Sequence, residues 1–225
     1  MPERVIAIGD IHGCLRALDK LLQSLNLQPG DRLVTVGDYV DRGPDSRGVL
    51  DRMISLDESG QLIPLRGNHE LMMLRARDSM AEERFWRYYG GDQAMASYAP
   101  SLRPGRLNDV PEAHWRFMTV TCRDYFETDT HIFAHAGVHP QFPLHEQDED
   151  SLFWRPLSDR GPHVSGKIVV CGHSEQRAGW PRDLYHTIGI DTWAYGGGWL
   201  TGLDVASGEF WQANEDGETR EGRLK

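Results

Sequence analysis

Three short apolar segments near the start of the chain each end in a glycine-rich turn that carries polar side chains. These turns read GDIHG at residues 9–13, GDYVDRGP at residues 37–44 and RGNHE at residues 66–70. Apolar residues recur at helical spacing between the turns, which is typical of amphipathic helices. A strand–helix–strand–helix–strand order with short connections predicts a right-handed, parallel α/β unit. Because such folds bind ligands at the carboxyl ends of their strands, the three turns are expected to form one site.

Two further apolar segments end in histidine. Thr130 to Ala134 precedes His135, and Lys167 to Cys171 precedes Gly172-His173. Oxygen donors mixed with imidazole suit manganese, iron or zinc better than calcium. Six protein ligands exceed what one catalytic ion with open positions needs, so the pattern predicts two divalent ions that share one carboxylate. The candidate ligands are Asp10, His12, Asp38, Asn68, His135 and His173.

The stretch between the two groups of strands has a different character. We interpret roughly residues 72–128 as a largely helical cap inserted into the sheet order, with one helix predicted over Pro111 to Phe126. Beyond residue 187, short apolar segments alternate with glycines, which predicts antiparallel strands. The last dozen residues are polar and are expected to be frayed. Residues 1–225 are therefore predicted to form one domain that carries this cap.

Bulk properties exclude several classes of protein. The net charge of −10 argues against binding to a nucleic acid polymer, whose phosphates would be repelled. The longest apolar runs are too short to span a membrane, so no membrane partner is expected. Three cysteines without zinc-type spacing favour a reducing, cytoplasmic location.

Taken in order, GDIHG, GDYVDRGP, RGNHE, HAG and GHS resemble the motifs of the calcineurin-like metallophosphoesterases. More narrowly, they resemble the phosphoprotein phosphatase family in its bacterial and phage branch, and the resemblance covers nearly the whole chain. It implies a four-layer α/β/β/α sandwich of two mixed sheets. It also implies that Asp10 and His12 bind a first metal ion and that Asp38 bridges to a second. The remaining ligands of that second ion would be Asn68, His135 and His173.

The resemblance also assigns catalytic and phosphate-binding residues. It makes His69 the acid that protonates the leaving oxygen and Asp41 the carboxylate that orients it. The chemistry agrees, because a leaving alkoxide needs a proton and an imidazolium near two cations needs a carboxylate. Arg42 would grip the phosphate as a planar, permanently charged donor, and Arg155 resembles a second phosphate-binding arginine. The implied mechanism is direct in-line attack on phosphorus by a hydroxide that bridges the two ions.

Three functions are compatible with this pattern. The first is a cytoplasmic, manganese-dependent phosphatase that acts on phosphoserine or phosphothreonine in proteins or peptides. The second is a symmetrical bis(5'-nucleosyl)-tetraphosphatase, a dinucleoside polyphosphate hydrolase with a very similar site. Two details of the motifs favour the protein phosphatase. The chain reads DRG rather than ARG at residues 41–43, and GNHE rather than GNHD at residues 67–70. The third is a catalytically silent scaffold, which would be expected to have lost ligands or His69, whereas this chain keeps them all.

For single residues the alternative interpretations are structural. One Asp or Asn after a strand is more often a turn residue than a ligand, but a set of such turns in family order reverses this expectation. Trp86, Tyr88 and Tyr89 are interpreted as packing within the cap rather than as a wall of the substrate cleft. Trp193 or Tyr195 is expected to face the cleft and to influence substrate choice.

Overall fold

The computed structural model describes residues 4–224, and its first sheet joins the beginning of the chain to its end. Three parallel strands, β1 (Val5–Ile8), β2 (Arg32–Thr35) and β3 (Leu62–Pro64), form one half of this sheet. An antiparallel half consists of β9 (Leu200–Asp204), β10 (Glu209–Ala213) and β11 (Thr219–Arg223). The strand order is β11-β10-β9-β1-β2-β3, so β1 lies between β2 and β9. The parallel α/β unit predicted from the sequence is therefore confirmed.

The second sheet contains the strands that precede the two histidine motifs. Its strands are β4 (Tyr125–Glu127), β5 (His131–Ala134), β6 (Ile168–Cys171), β7 (Arg182–Asp183) and β8 (Thr187–Gly189). Their order in the sheet is β4-β5-β6-β8-β7, with parallel pairing of β5, β6 and β8 and antiparallel strands at both edges.

The helices lie on the outer faces of the two sheets. Their bounds are α1 (Leu15–Leu25), α2 (Ser46–Glu58), α3 (Asn68–Arg75), α4 (Met80–Trp86), α5 (Asp92–Ser97), α6 (Glu112–Arg116) and α7 (Glu149–Phe153). Asp45 caps the start of α2, because its side chain accepts a hydrogen bond from the Gly48 N–H at 2.8 Å. Among residues 4–224, no helix has the length and apolar character needed to cross a bilayer.

The alternation of side chains along the strands builds two main cores. Ile6 and Ile8 of β1 face the helices and are fully buried with Leu18 and Leu21 of α1. Ala7, between them, faces the other way into the core between the sheets. Each fully buried leucine contributes about 2 kcal/mol through removal of its apolar surface from water. Together with the loops and α7 outside the second sheet, this arrangement confirms the predicted four-layer sandwich.

The fourth layer is thin. Outside the second sheet, the chain between β5 and β6 contributes the five-residue helix α7, a single helical turn at Leu144–Glu146, and coil. Small clusters that include Leu144, Leu152 and Phe153 cover this face. A salt bridge links the start of β1 to the residue before β2, where the Arg4 guanidinium donates to both carboxylate oxygens of Asp31.

Two details of the sequence-based prediction are wrong. The helix predicted over Pro111 to Phe126 ends early, because α6 stops at Arg116 and a π-helical turn follows at Phe117–Thr121. The Arg123 backbone then hydrogen-bonds to Pro64 and Arg66, which draws this segment alongside β3 and into β4. The range 72–128 thus contains a strand as well as helices.

The last dozen residues were expected to be frayed, but those that the structure describes, up to residue 224, are ordered by strand pairing. Residues Thr219–Arg223 pair with β10 along five positions, and Arg220 stacks between two tryptophan rings. The guanidinium carbon lies 3.6 Å from the Trp180 ring centre and 4.1 Å from that of Trp199. Cross-strand pairing and cation–π contacts hold a polar edge strand that carries little hydrophobic signal.

Candidate active site

The polar turns after β1, β2, β3, β5 and β6 meet at one end of the sheets. Their backbones are joined directly: the N–H groups of Ile11 and His12 both donate to the Asp38 carbonyl, at 3.0 and 2.7 Å. The N–H of Gly172 donates to the His135 carbonyl at 2.8 Å. The turns predicted to converge therefore do so through main-chain contacts.

Unusual backbone conformations are concentrated at this junction. Eight non-glycine residues among those described have a positive φ, and six of them lie here. Left-handed conformations cost free energy for residues with a Cβ and persist where surrounding contacts enforce them. The six are His12, Asp38, Asp41, Arg42, His173 and Trp193.

Glycines allow the turns to approach one another closely. A Cβ on Gly43 would lie 1.9 Å from the His12 carbonyl oxygen, and one on Gly172 would lie 1.8 Å from Asp10 Oδ1. Real Cβ atoms do not make contacts this short. The glycines of these two motifs are thus required by the packing of one turn against another.

The Glu70 carboxylate organises the turn that follows β2. It is fully buried, and it accepts hydrogen bonds from four backbone N–H groups, two on each oxygen. Oε2 receives Asp38 and Gly67 at 2.8 Å, and Oε1 receives Tyr39 at 2.8 Å and Val40 at 3.2 Å. Burial raises the pKa of Glu70 to about 7, and the backbone donors oppose this rise. Glu70 acts on the site by shaping the backbone of Asp38.

Three histidines each have one ring nitrogen against a backbone carbonyl and the other facing the cluster of candidate ligands. The first is called the outer nitrogen here and the second the inner nitrogen. His12 Nδ1 lies 2.9 Å from the Val40 carbonyl, His135 Nδ1 lies 2.9 Å from that of Val36, and His173 Nε2 lies 3.0 Å from that of Trp154. Each outer nitrogen must therefore carry a proton that it donates to a carbonyl, which leaves a lone pair on the inner nitrogen. This is the arrangement in which proteins orient histidine ligands to metals.

The inner atoms face oxygens at distances that suit a shared cation. His135 Nε2 lies 2.7 Å and His173 Nδ1 3.2 Å from Asn68 Oδ1, while His12 Nε2 lies 3.3 Å from Asp38 Oδ2. Lone pairs that face oxygen lone pairs repel unless a cation lies between them. Asp10 Oδ1 is also buried without a hydrogen-bond partner. The residues present therefore fit the divalent metal ions that the family implies.

Asp38 occupies the centre of this arrangement. Two groups of residues could each hold a metal ion, His12 with Asp38 and His69, and Asp10 with Asp38 and His135. Both groups contain Asp38, as a shared ligand would require. Burial acts to raise the pKa of Asp38, yet the imidazoles of His135, His69 and His12 hold it well below its usual range.

A second buried carboxylate accompanies Asp10. Burial raises the pKa of Asp10 well above its usual range, and Asp191 and Asp38 raise it further by repulsion. Burial also raises the pKa of Asp191 to about 6, although this residue accepts the Trp193 N–H at 3.0 Å. Mutually repelling buried carboxylates favour a bound cation. Sequence reasoning did not identify Asp191, which follows β8 without a histidine or asparagine beside it.

The predicted acid and its carboxylate partner form a buried pair. His69 Nδ1 lies 2.7 Å from Asp41 Oδ2, and the two side chains are almost fully shielded from water. Burial raises the pKa of Asp41 and lowers that of His69. Because Nδ1 is committed to Asp41, Nε2 is the His69 atom that can reach a substrate. The indole Nε1 of Trp86 also donates to both Asp41 oxygens, a contact that the sequence did not reveal.

Arg42 is held at the edge of the site by a carboxylate and a tyrosine. Its Nη1 lies 3.3 Å from Glu175 Oε1 and donates to the Tyr195 hydroxyl at 3.0 Å. The Tyr195 hydroxyl in turn donates to Glu175, and its ring lies under the guanidinium at 4.7 Å. Arg177 holds the other Glu175 oxygen at 2.8 Å and stacks on Trp193 at 5.1 Å. A single carboxylate thus joins two arginines beside the metal-ligand cluster.

Two further arginines near the motifs differ in environment from Arg42, and one of them is the predicted phosphate-binding residue Arg155. Arg155 forms a salt bridge with Asp150, its side chain is 34% exposed, and its neighbour Trp154 supplies the carbonyl that orients His173. Arg155 therefore lies near the cluster but is not joined to it in this structure. Arg66, in contrast, makes structural contacts, because it donates to the Met118 carbonyl at 2.9 Å and to others in the same turn.

The chain matches known proteins over most of its length. A sequence model described as calcineurin-like phosphoesterase matches residues 3–207. Serine/threonine-protein phosphatase 1 of Salmonella typhimurium is 34% identical over 206 residues, which is 88% of this chain and 89% of the relative. The symmetrical bis(5'-nucleosyl)-tetraphosphatase of Shewanella oneidensis is 30% identical over 146 residues, or 64% of this chain. This chain spans only 48% of that relative's length.

Solved structures share the fold. A crystal structure provisionally described as a diadenosine tetraphosphatase superposes with a TM-score of 0.66 over 99% of this chain and 94% of that one, at 24% identity. At this identity the likeness concerns the architecture alone. The matches confirm the family that the motifs predict: the chain belongs to the calcineurin-like phosphoesterase family and is a metallophosphoesterase.

Proposed function

We propose that the protein is a serine/threonine protein phosphatase that uses two divalent metal ions, with manganese as the preferred metal. The observation that carries this proposal is the buried His69–Asp41 pair, 2.7 Å apart, beside a cluster of converging metal-type ligands. The choice of substrate is supported by the Salmonella phosphatase, which this chain matches along 89% of the relative's length. The Asp41-Arg42-Gly43 triplet and Glu70 support the same choice.

The metal ions would be held by the residues whose lone pairs converge. We assign Asp10 and His12 to one ion and Asp38 to both. The second ion would also take Asn68, His135 and His173. Two bound ions supply Lewis acidity and a nucleophilic water at neutral pH.

The remaining residues would act on the substrate. The His69 Nε2 atom would donate a proton to the leaving oxygen, and Asp41 would keep the imidazole oriented for this transfer. Arg42 would bind the phosphate dianion, which requires that the dianion replace Glu175 as its partner. Arg155 would become a second phosphate donor if it exchanged Asp150 for substrate. We also propose that residues 72–128 act as the cap of the site and that the protein functions in the cytoplasm.

A side-by-side assay tests the substrate class. The protein loaded with Mn²⁺ would be given a phosphoserine peptide, diadenosine tetraphosphate and p-nitrophenyl phosphate, each with and without a chelator. We expect metal-dependent hydrolysis, with kcat/KM for the peptide at least about tenfold above that for the tetraphosphate. A preference for the tetraphosphate would establish the alternative, which the Shewanella relative supports. No hydrolysis of any substrate would indicate the catalytically silent scaffold.

A variant tests the role of His69 separately. His69→Asn keeps a side chain of similar size but cannot donate a proton from Nε2. We expect kcat for a phosphoserine peptide to fall by about 100-fold or more while metal binding, measured by calorimetry, stays intact. Unchanged turnover would show that His69 is not the acid.

A further inference from the structure

The indole of Trp86 makes a contact that packing alone does not require. Trp86 ends α4 within the predicted cap and is fully buried. Its Nε1–H group lies 2.9 Å from Asp41 Oδ1 and 2.8 Å from Asp41 Oδ2, so one donor is shared between both oxygens. Among the described residues, the side-chain oxygens of Asp41 have only Trp86 and His69 as hydrogen-bond partners.

The segment around Trp86 is built to hold this contact. A π-helical turn at Arg87–Gly91 follows α4, and within it Gly90 has a positive φ of 118°. Gly91 packs against the indole so closely that a Cβ would lie 2.5 Å from the ring. The Gly90 carbonyl also accepts the Arg42 N–H at 3.2 Å. This segment therefore contacts two consecutive residues: Trp86 binds the side chain of Asp41, and Gly90 binds the backbone of Arg42.

Two donors on one carboxylate restrict its rotation. The terminal torsion of an aspartate is broad, so a single partner on Oδ2 would leave the carboxylate free to rock about that bond. Trp86, which reaches both oxygens from another direction, removes this freedom. A fixed carboxylate keeps the proton of His69 Nδ1 in place and thereby fixes the direction of His69 Nε2.

We propose that Trp86 is a positioning residue for acid catalysis, which acts through Asp41 to aim His69 Nε2 at the leaving oxygen. This inference rests on the proposed function. Hydrolysis adds water across the bond between phosphorus and the leaving oxygen. The leaving oxygen keeps the bonding electron pair and takes the proton of His69 Nε2, and the imidazole regains a proton from the medium. The indole proton of Trp86 stays in place throughout.

The choice of leaving group makes this proposal testable. An alkoxide such as that of serine is a poor leaving group and needs the proton, whereas p-nitrophenolate leaves readily without it. Trp86→Phe keeps an aromatic ring and removes the N–H donor. We expect its kcat/KM for a phosphoserine peptide to fall by about tenfold, and that for p-nitrophenyl phosphate by less than about threefold. The ratio of the two values does not depend on the fraction of active protein, so partial misfolding cannot imitate the result.

Matched variants separate positioning from packing. Trp115→Phe changes another buried tryptophan of the cap, whose ring stacks with Arg77 and which is not a hydrogen-bond partner of Asp41, and it should leave the ratio of the two kcat/KM values as in the wild type. In Asp41→Asn, the carboxylate that Trp86 aims is already lost, so adding Trp86→Phe should cause little further change in the ratio. If Trp86→Phe does not fold, β-(3-benzothienyl)alanine at position 86 removes the donor while keeping the bicyclic shape.

A spectroscopic measurement tests the contact without turnover. In the metal-free protein, the indole ¹H–¹⁵N resonance of Trp86, assigned by its loss in Trp86→Phe, should lie downfield of exposed indoles and should move in Asp41→Asn. Equal losses on both substrates in Trp86→Phe, or an indole resonance unaffected by Asp41→Asn, would overturn the proposal. If the wild-type protein hydrolyses neither substrate, the proposed function fails instead, and the resonance alone decides whether the contact exists.

Discussion

Replacement of Glu70 by glutamine should damage the site strongly, although the two side chains have nearly the same shape. The amide puts an NH₂ group where one carboxylate oxygen accepts two backbone N–H groups. In either orientation of the amide, two buried backbone donors lose their acceptor. Each orphaned donor costs about 1–3 kcal/mol, so we expect Glu70→Gln to lower the free energy of unfolding by about 4 kcal/mol.

The same change should weaken metal binding. Asp38 adopts a left-handed conformation with φ of 54°, and its N–H is one of the four groups that Glu70 holds. Loss of this anchor lets the Asp38 backbone relax away from the conformation that presents its carboxylate. We expect Mn²⁺ affinity, measured by calorimetry, to fall by at least about tenfold, as is typical when groups that orient a ligand are removed.

A surface glutamate provides the control. Glu149→Gln makes the same chemical change in a residue that pairs with Arg75 in a half-exposed salt bridge. Its effect on stability should stay below about 1 kcal/mol. The stability of both variants would be measured by urea unfolding of the metal-free proteins. A pH of about 8 is suitable, because it lies above the Glu70 pKa of about 7. The proposed role of Glu70 would be refuted by two results together. These are a free energy of unfolding for Glu70→Gln equal to that of Glu149→Gln, and an Mn²⁺ affinity equal to that of the wild type.

Three further changes have defined outcomes. Gly43→Ala places a methyl group 1.9 Å from a backbone oxygen and should cost about 3 kcal/mol by urea unfolding, whereas Gly30→Ala meets nothing within 4 Å and should be nearly neutral. The hydrogen-bonded guanidinium of Arg4 holds the pKa of Asp31 at about 2, below its unfolded value. The pair therefore adds about 1.5 kcal/mol to the free energy of unfolding, a value reduced to allow for the exposed part of Arg4. This contribution is present above about pH 4 and is lost as the pH falls through about 2. The stability gap between wild type and Asp31→Asn should accordingly narrow in acid titrations, and a constant gap would contradict this. Glu175→Gln removes the charge that competes with phosphate for the neighbouring arginine, so KM for p-nitrophenyl phosphate should fall by about threefold; a higher KM would show that Glu175 aids binding.

Much of the fold and the site could be predicted because the signals are local. The first three strands are short apolar runs that end in a turn where glycine is followed by aspartate or asparagine, so both their ends and their parallel order follow from the sequence pattern. The candidate ligands lie in the turns that directly follow these strands. Once the strands are known to be parallel, Asp10, Asp38 and Asn68 must share one edge of a sheet.

The missed features depend on contacts between distant parts of the chain. Trp86 looks like a packing residue, and only the fold brings its N–H to Asp41, forty-five positions earlier in the sequence. The strand Thr219–Arg223 is polar, and it forms because β10 offers it an edge and two tryptophans receive Arg220. The π-helical turn at Phe117–Thr121 ends a helix without a proline or glycine to mark it.

The position of β1 in the first sheet has a consequence for how the protein folds. This strand is flanked on one side by β2, which follows soon after it, and on the other by β9, which lies nearly a whole chain length away. The loop that must close to pair β1 with β9 is long, and proteins dominated by such distant contacts fold slowly. During synthesis, the partly built sheet would expose the unpaired backbone N–H and C=O groups along one edge of β1 until residues 200–204 leave the ribosome. A chaperone that shields this edge should therefore raise the yield of folded protein more than one that acts after release.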